Sequence, residues 1–286
     1  MQEGKLMKIL VTGAKGQLGH DVVKELTARN IPHKGVDIVD FDITNKTTVF
    51  EVIEAYQPTV VIHCAAYTAV DRAEDEPELC QQINENGTRN IAEACKKISA
   101  KMLYISTDYV FPGTGNHFHK PTDPTSPISV YGKTKLAGEK AVIETLAEYF
   151  IVRISWVFGE NGNNFVKTML NLGKERDTLN VVNDQIGSPT YTADIAPLLC
   201  EILKSENYGI YHATNEGTCS WAEFAQEIFR QANLATIVNP IPTSEYPTKA
   251  SRPLNSRLDK SCLDELFHLP HWKDALQRFI KKAGIT

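Results

Sequence analysis

Lys8-Ile9-Leu10-Val11-Thr12-Gly13-Ala14-Lys15-Gly16-Gln17-Leu18-Gly19 is the stretch on which the fold turns. Lys8 to Thr12 reads as a short buried strand, and Gln17 to Arg29 as the helix that follows it. The three glycines between them permit a tight turn and a close approach of backbone to a pyrophosphate, whose charge suits a helix N-terminus. The spacing is G-x-x-G-x-x-G rather than the commoner G-x-G-x-x-G, and a plain tight turn is the rival reading. Beyond this helix a second strand ends at Val36-Asp37. Thr44 caps a helix in which Val49, Val52, Ile53 and Tyr56 recur at helical spacing. Thr59 to His63 is the third strand. Pro77 opens a helix with Leu79, Ile83, Ile91, Ala94 and Ile98 on one side. Lys101 to Ile105 is the fourth strand and Tyr149 to Ile154 the fifth. Strands alternating with helices predict an α/β fold, a Rossmann-type doubly wound parallel sheet with right-handed crossovers. Residues 7–155 form the expected dinucleotide-binding domain. Residues 156–286, with helical patterns near Asn164, Asp194 and Trp221 to Ala232, form a smaller substrate-binding lobe with excursions back to the sheet.

Length and composition narrow the function classes. A chain of 286 residues buries about three quarters of its unfolded surface and needs no covalent staples. The six cysteines, Cys64, Cys80, Cys95, Cys200, Cys219 and Cys262, show no paired or metal-type spacing, which predicts reduced thiols in a cytoplasmic setting. A net charge of -5 argues against a nucleic-acid surface. No run of 18 apolar residues is present, which argues against a membrane span. Met1 to Leu6 precede a second methionine, Met7, and read as an extension or a cloning remnant.

The chemistry-bearing residues fall beyond the glycine turn. In Tyr131-Gly-Lys-Thr-Lys135 the phenol and the ammonium are four residues apart, so a helix presents them on one face. A fixed positive charge roughly 5 Å away, at an effective dielectric of about 20, favours the phenolate by about 3 kcal/mol. That predicts a phenol acidified by about 2 pKa units, suited to protonating a carbonyl oxygen as hydride reaches carbon. An isolated Tyr-x-x-x-Lys is more often two ordinary surface residues; its company changes the weighing. Thr107 and Asp108, just past strand four, lie where open α/β sheets bind ligands. The Thr107 hydroxyl suits a carbonyl and Asp108 a sugar hydroxyl, although Ser106-Thr-Asp108 also reads as a cap. Asp37 at the end of strand two suits an adenosine ribose, as in NAD sites. Lys15 suits a 2′-phosphate and NADP instead, so reductant choice stays open. Cys64-Ala65-Ala66-Tyr67 offers small residues against which a nucleotide lies flat, or a helix-packing surface. Asn84 reads as a brace or proton relay, or as a solvent-facing residue. Trp156 suits stacking on a ring or core packing. Arg252 and Arg257 suit a diphosphate. His63, His117, His119 and His212 show no mutual spacing that suggests a metal, and none is assigned.

Together these residues resemble the extended short-chain dehydrogenase/reductase superfamily, and within it the dTDP-4-dehydrorhamnose reductase family. Gly13 to Gly19 and Tyr131-x-x-x-Lys135 mark the superfamily. Ala65-Ala-Tyr-Thr-Ala-Val-Asp71, Ser106-Thr-Asp-Tyr-Val-Phe-Pro-Gly113, Ser155-Trp156-Val157, Gly162-Asn-Asn-Phe165 and Tyr246-Pro-Thr-Lys-Ala-Ser-Arg-Pro253 mark the branch. The resemblance implies that Tyr131 donates the proton, Lys135 holds the nicotinamide ribose and depresses the tyrosine pKa, and Thr107 bonds the carbonyl oxygen. It implies that Asp108 and Trp156 contact the sugar. It also implies that Gly16, Gln17, Leu18, Asp37, Asp42, Ile43, Ala65, Ala66 and Tyr67 line the cofactor, NADPH or NADH. The implied reaction is reduction of the C4 ketone of dTDP-4-dehydro-β-L-rhamnose to dTDP-L-rhamnose, a precursor of cell-surface polysaccharide, by a homodimer. Some relatives bridge the dimer with Mg2+; Asp21 stands where a longer acid is expected, so the metal is not carried over. Another nucleotide-sugar 4-reductase or epimerase, and a non-catalytic subunit like the regulatory subunit of methionine adenosyltransferase, are the alternative readings. The Tyr131, Lys135 and Thr107 set argues against the second.

Overall fold

The computed structural model describes residues 7–263 and 266–284, so the extension Met1 to Leu6 lies outside the described residues. In chain order the first half runs β1 (Ile9–Thr12), α1 (Gln17–Ala28), β2 (His33–Val36), α2 (Lys46–Tyr56), β3 (Val60–His63), α3 (Val70–Ala73), α4 (Pro77–Gln81), α5 (Thr88–Lys97), β4 (Lys101–Thr107), α6 (Val130–Thr145) and β5 (Tyr149–Ile154). The second half runs β6 (Val157–Phe158), α7 (Phe165–Glu175), β7 (Thr178–Val182), β8 (Ile186–Gly187), β9 (Thr190–Tyr191), α8 (Thr192–Ile202), β10 (Gly209–His212), β11 (Cys219–Ser220), α9 (Trp221–Gln231), β12 (Ile237–Ile241) and α10 (Trp272–Lys282).

Every residue of β1 and β3 is buried, as their unbroken apolar runs require of parallel strands covered on both faces. Six parallel strands form the central sheet in the order β10-β5-β4-β3-β1-β2. The chain leaves β1 toward β2 on one side and returns to β3 on the other, so a crevice opens at the carboxyl ends of β1 and β3. Val22 and Leu26 of α1 join Leu198, Leu199 and Ile202 of α8 in the core on one face of the sheet. On the other face Val49, Ile53, Ile91, Cys95 and Val142 pack from α2, α5 and α6. A separate core beside the sheet is built from α7, α9 and α10, around Phe158, Phe224, Phe229, Trp272 and Phe279.

Several local expectations are corrected. Asn45, not Thr44, caps α2: its side chain accepts from the Thr47 and Thr48 amides, while Thr44 bonds Asp42. The helix opened by Pro77 is interrupted by a π-helical stretch, Gln82–Gly87. The wider turn breaks the regular apolar stripe, and Leu79 is left 42 % exposed on the cleft side. Strand β4 continues through Thr107, two residues past the expected end at Ile105, so Thr107 is its last residue and Asp108 the first beyond it. The helix carrying Tyr131 is anchored to the sheet by a buried ion pair. Arg153 of β5 forks onto Glu139 of α6 at 2.9 and 2.7 Å, and Ser106 donates to the same carboxylate at 2.5 Å. Removing one member of such a pair costs about 3–5 kcal/mol, because the other charge is left buried and alone.

Candidate active site

The cleft begins at the glycine turn. Gly13 adopts a φ of +66°, and a Cβ there would stand 2.7 Å from the Ala65 nitrogen. A Cβ on Gly19 would collide with the Gly13 carbonyl. Glycine is therefore required at both positions: one bends the chain, the other brings α1 against the turn. The Lys15 and Ile38 amides donate to the Asp37 carboxylate at 2.8 and 2.9 Å, which fixes that carboxylate at the end of β2. From the far side Asn161 donates to the Lys15 carbonyl at 2.5 Å and Asn164 to the Gln17 side chain at 3.1 Å. The segment from Asn161 to Asn164 thus ties down over the turn, a contact the sequence does not reveal.

From this turn a cleft of about 920 Å³ runs along the crevice. Gly13, Lys15, Gly16, Gln17, Leu18, Gly19, Asp37, Asp42, Ile43, Ala65 and Ala66 line one end, and Thr107, Asp108, Tyr131, Lys135 and Trp156 line the other. Tyr67 and Arg252 stand apart from this lining. The Tyr67 phenol turns away to Glu76 at 2.7 Å. Arg252 pairs with Asp71 of α3 at 2.5 Å, while Arg257 bonds the Asn255 side chain at 2.8 Å. Asn84 is buried, not solvent-facing. It lies in the π-helical stretch, accepts from the Tyr67 amide at 2.8 Å and donates to the Tyr67 carbonyl at 3.1 Å. It also donates to Thr134 of α6 at 3.1 Å, and so joins the cleft-edge segment to the helix that carries Tyr131.

Ser129 caps α6 by accepting from the Gly132 amide at 3.1 Å, which starts the helix one residue before Tyr131. Tyr131 is half-buried and lines the cleft together with Thr107, whose influence lowers its pKa. The acidified phenol expected from the sequence is not what this arrangement gives. Burial, the strongest influence, pushes the Tyr131 phenol above its usual value, and neighbouring Asp108 adds to the rise. Lys135 is not a free cation beside it. The buried ammonium donates to the Ile105 carbonyl at 2.8 Å and sits 4.0 Å from the centre of the Tyr104 ring. Burial lowers its pKa to about 7, with Glu139 opposing.

Asp108 is also shifted by burial, upward to about 6, with Ser256 and Thr107 opposing. Thr107 donates to its Oδ1 at 3.1 Å, and its buried Oδ2 makes no hydrogen bond within the chain. That oxygen suits a polar group arriving in the cleft. Trp156, at a φ of +48°, stacks on Trp221 of α9 with ring centres 3.6 Å apart. Gly187 lies beneath it, where a Cβ would meet the indole at 2.6 Å. In the sequence Trp221 marks only the start of a helix, because a stacking partner from a distant element leaves no local mark.

The residues fit a dinucleotide at the glycine end: the turn is bare of side chains at Gly13 and Gly19, with helix N-terminal amides behind it. They do not fit a magnesium ion at Asp21, which is buried and accepts the Thr192 hydroxyl instead of presenting a carboxylate at the surface. The doubly wound sheet, the glycine turn at its switch point and the Tyr131–Lys135 pair across the same cleft define the class, a nicotinamide-nucleotide-dependent oxidoreductase of the extended short-chain type. The family model described as RmlD substrate binding domain matches residues 7–285. The dTDP-4-dehydrorhamnose reductase of Aggregatibacter actinomycetemcomitans is 42 % identical, covering 95 % of this chain and 98 % of its own. The dTDP-4-dehydrorhamnose reductase of Bacillus anthracis, solved in complex with NADP, superposes with a TM-score of 0.94 at 43 % identity, covering 97 % of this chain and all of its own. The spore coat polysaccharide biosynthesis protein SpsK of Bacillus subtilis is 38 % identical over 98 % of this chain and 99 % of its own. The chain belongs to the dTDP-4-dehydrorhamnose reductase family.

Proposed function

We propose that this chain reduces the C4 ketone of dTDP-4-dehydro-β-L-rhamnose to the alcohol of dTDP-L-rhamnose, using NADPH or NADH, and so supplies a polysaccharide precursor. The observation that carries the reading is the placing of Thr107, Tyr131 and Lys135 at one end of a cleft whose other end is the glycine turn. A reduced nicotinamide held in this cleft would supply the hydride. The Thr107 hydroxyl, turned from Asp108 toward the cleft, would donate to the ketone oxygen, and the Tyr131 phenol would hand its proton to the alkoxide as it forms. A phenol held above its usual pKa keeps that proton until negative charge appears on the substrate. Lys135 spends one donor on the Ile105 carbonyl and has others for the nicotinamide ribose. Asp108 and Trp156 orient the sugar. The Asp37 carboxylate, held by the Lys15 amide, would meet the adenosine ribose, with exposed Lys15 close by.

Part of the same proposal is a lobe, residues 156–286, that holds the nucleotide-sugar, with Arg252 swinging from Asp71 toward the diphosphate. A homodimer in the cytoplasm completes it, supported by the family membership and by the lack of disulfides among the described cysteines. Among the described residues no helix is long and apolar enough to cross a membrane. Mixing the protein with the ketosugar and either reduced nucleotide should give substrate-dependent loss of the nicotinamide absorbance. No loss with dTDP-4-dehydro-β-L-rhamnose, but turnover of a UDP- or GDP-linked ketosugar, would overturn the substrate.

A further inference from the structure

The loop between β4 and α6 gathers three metal-ligand side chains outside the reaction cleft. His117, His119 and Asp123 each offer a ligand atom, and these atoms all lie within 4.8 Å of one another. His117 Nε2 stands 3.8 Å from Asp123 Oδ2. With bonds of about 2.0–2.2 Å, tetrahedral geometry puts ligand atoms about 3.3–3.6 Å apart, so the trio needs to close by about an ångström. Exposed His117 has the rotational freedom for that movement.

The surroundings hold the other two ligands in place. The His119 ring is 3 % exposed and lies flat on Phe111, centres 4.3 Å apart and planes 5° apart. Its backbone is tied at both ends to the C-terminal segment: the His119 amide donates to the Arg257 carbonyl at 2.9 Å and the Asp259 amide to the His119 carbonyl at 2.8 Å. Asp123 Oδ2 accepts from the Lys120 amide at 2.9 Å, the kind of outer hydrogen bond that orients a ligating carboxylate. Asn255 donates to the His117 carbonyl at 2.8 Å. Gly115, at a φ of +75°, leaves the His117 imidazole its space, since a Cβ there would come to 3.2 Å from Nδ1.

We propose that His117, His119 and Asp123 form a binding site for Zn2+ or a chemically similar divalent transition metal, with water completing the coordination. Two imidazoles and one carboxylate suit zinc-class ions, whereas Mg2+ and Ca2+ prefer oxygen ligands throughout. The metal clamps the loop that leads into Ser129 and α6, and so braces the helix carrying Tyr131 without touching the reaction. The bland rival is an ordinary histidine–carboxylate ion pair. A His-x-His spacing alone did not reveal the site, because the third ligand comes from a turn made by Lys120 and Asp123.

The test uses the full chain, free of affinity tags and stripped with a chelator, titrated with ZnCl2 by calorimetry and followed by thermal melting. Saturable binding of one Zn2+ per chain with a rise in melting temperature is expected, with Mg2+ giving neither. His117→Ala and Asp123→Asn, both at accessible positions, should each weaken Zn2+ by more than the about 10–100-fold that outer-sphere partners are worth. Co2+ should give visible absorption bands of a low-coordinate site in the parent and not in the double variant. No saturable binding, equal binding of Mg2+, or Zn2+ binding unchanged in the double variant overturns the proposal.

Discussion

Tyr131 shows how burial and charge compete at a single residue. The sequence placed an ammonium four residues away on the same helix, and without a desolvation cost that charge would acidify the phenol. The folded site buries Lys135 and half-buries Tyr131, and desolvation raises the phenol while lowering the ammonium to about 7. The proton therefore stays on the phenol until an alkoxide develops next to it. Tyr131→Phe should lower kcat by about 10²–10⁴-fold, the usual worth of a positioned general acid. The Kd for NADPH should be nearly unchanged, because only the hydroxyl is removed and the ring keeps its place. Stopped-flow reduction together with a fluorescence titration separates the two, and wild-type kcat in the variant would take Tyr131 out of the proton-donor role.

At the scale of elements, the β1–α1 junction is dictated by sterics and was therefore readable. Gly19 has no room for a side chain against the Gly13 carbonyl. Gly19→Ala should destabilise the protein by about 1–3 kcal/mol, the typical cost of overpacking. It should also weaken dinucleotide binding by pushing α1 off the turn; urea unfolding and an NADPH titration measure the two effects. The Pro77–Lys97 helix shows the opposite case. Its apolar spacing gave the helix, but the π-helical stretch at Gln82–Gly87 depends on Asn84 finding Tyr67 and Thr134, residues 17 and 50 positions away. Thr44 and Asn45 were both plausible caps by type. Only the direction of the chain after Asp42, which takes the Thr44 hydroxyl, decides for Asn45.

At the scale of the molecule, two buried histidines on different strands make the fold sensitive to acid. His63 of β3 sits between Thr12 and Thr88, and His212 of β10 lies near Arg153. Burial, aided by Lys135 and Arg153 respectively, lowers both to about 3. The unfolded chain binds these protons near pH 6.5 and the folded chain does not, so their stability contribution is complete above pH 6.5 and is lost as pH falls toward about 3. Asp108, raised to about 6, acts with the opposite sign between about 6 and 3.8 and offsets part of one histidine. Urea midpoints at pH 7 and pH 4 should show a net loss of stability on acidification. The loss should be smaller in a His63→Asn, His212→Asn double variant, and an equal loss there would assign the acid sensitivity to other groups.

Local order in the chain was enough for the first five strands, the glycine turn and the residues of the Tyr131 helix. Each rests on a local rule: periodic burial, the absence of a Cβ, or four residues to a helical face. Tertiary structure alone decided which strand completes the sheet at β10, how Trp221 meets Trp156, and where Arg252 and Tyr67 turn. It also decided the protonation of the central pair and the meeting of His117, His119 and Asp123. Those depend on water excluded by distant segments and on atoms brought together from far along the chain, and neither leaves a mark in nearby residues.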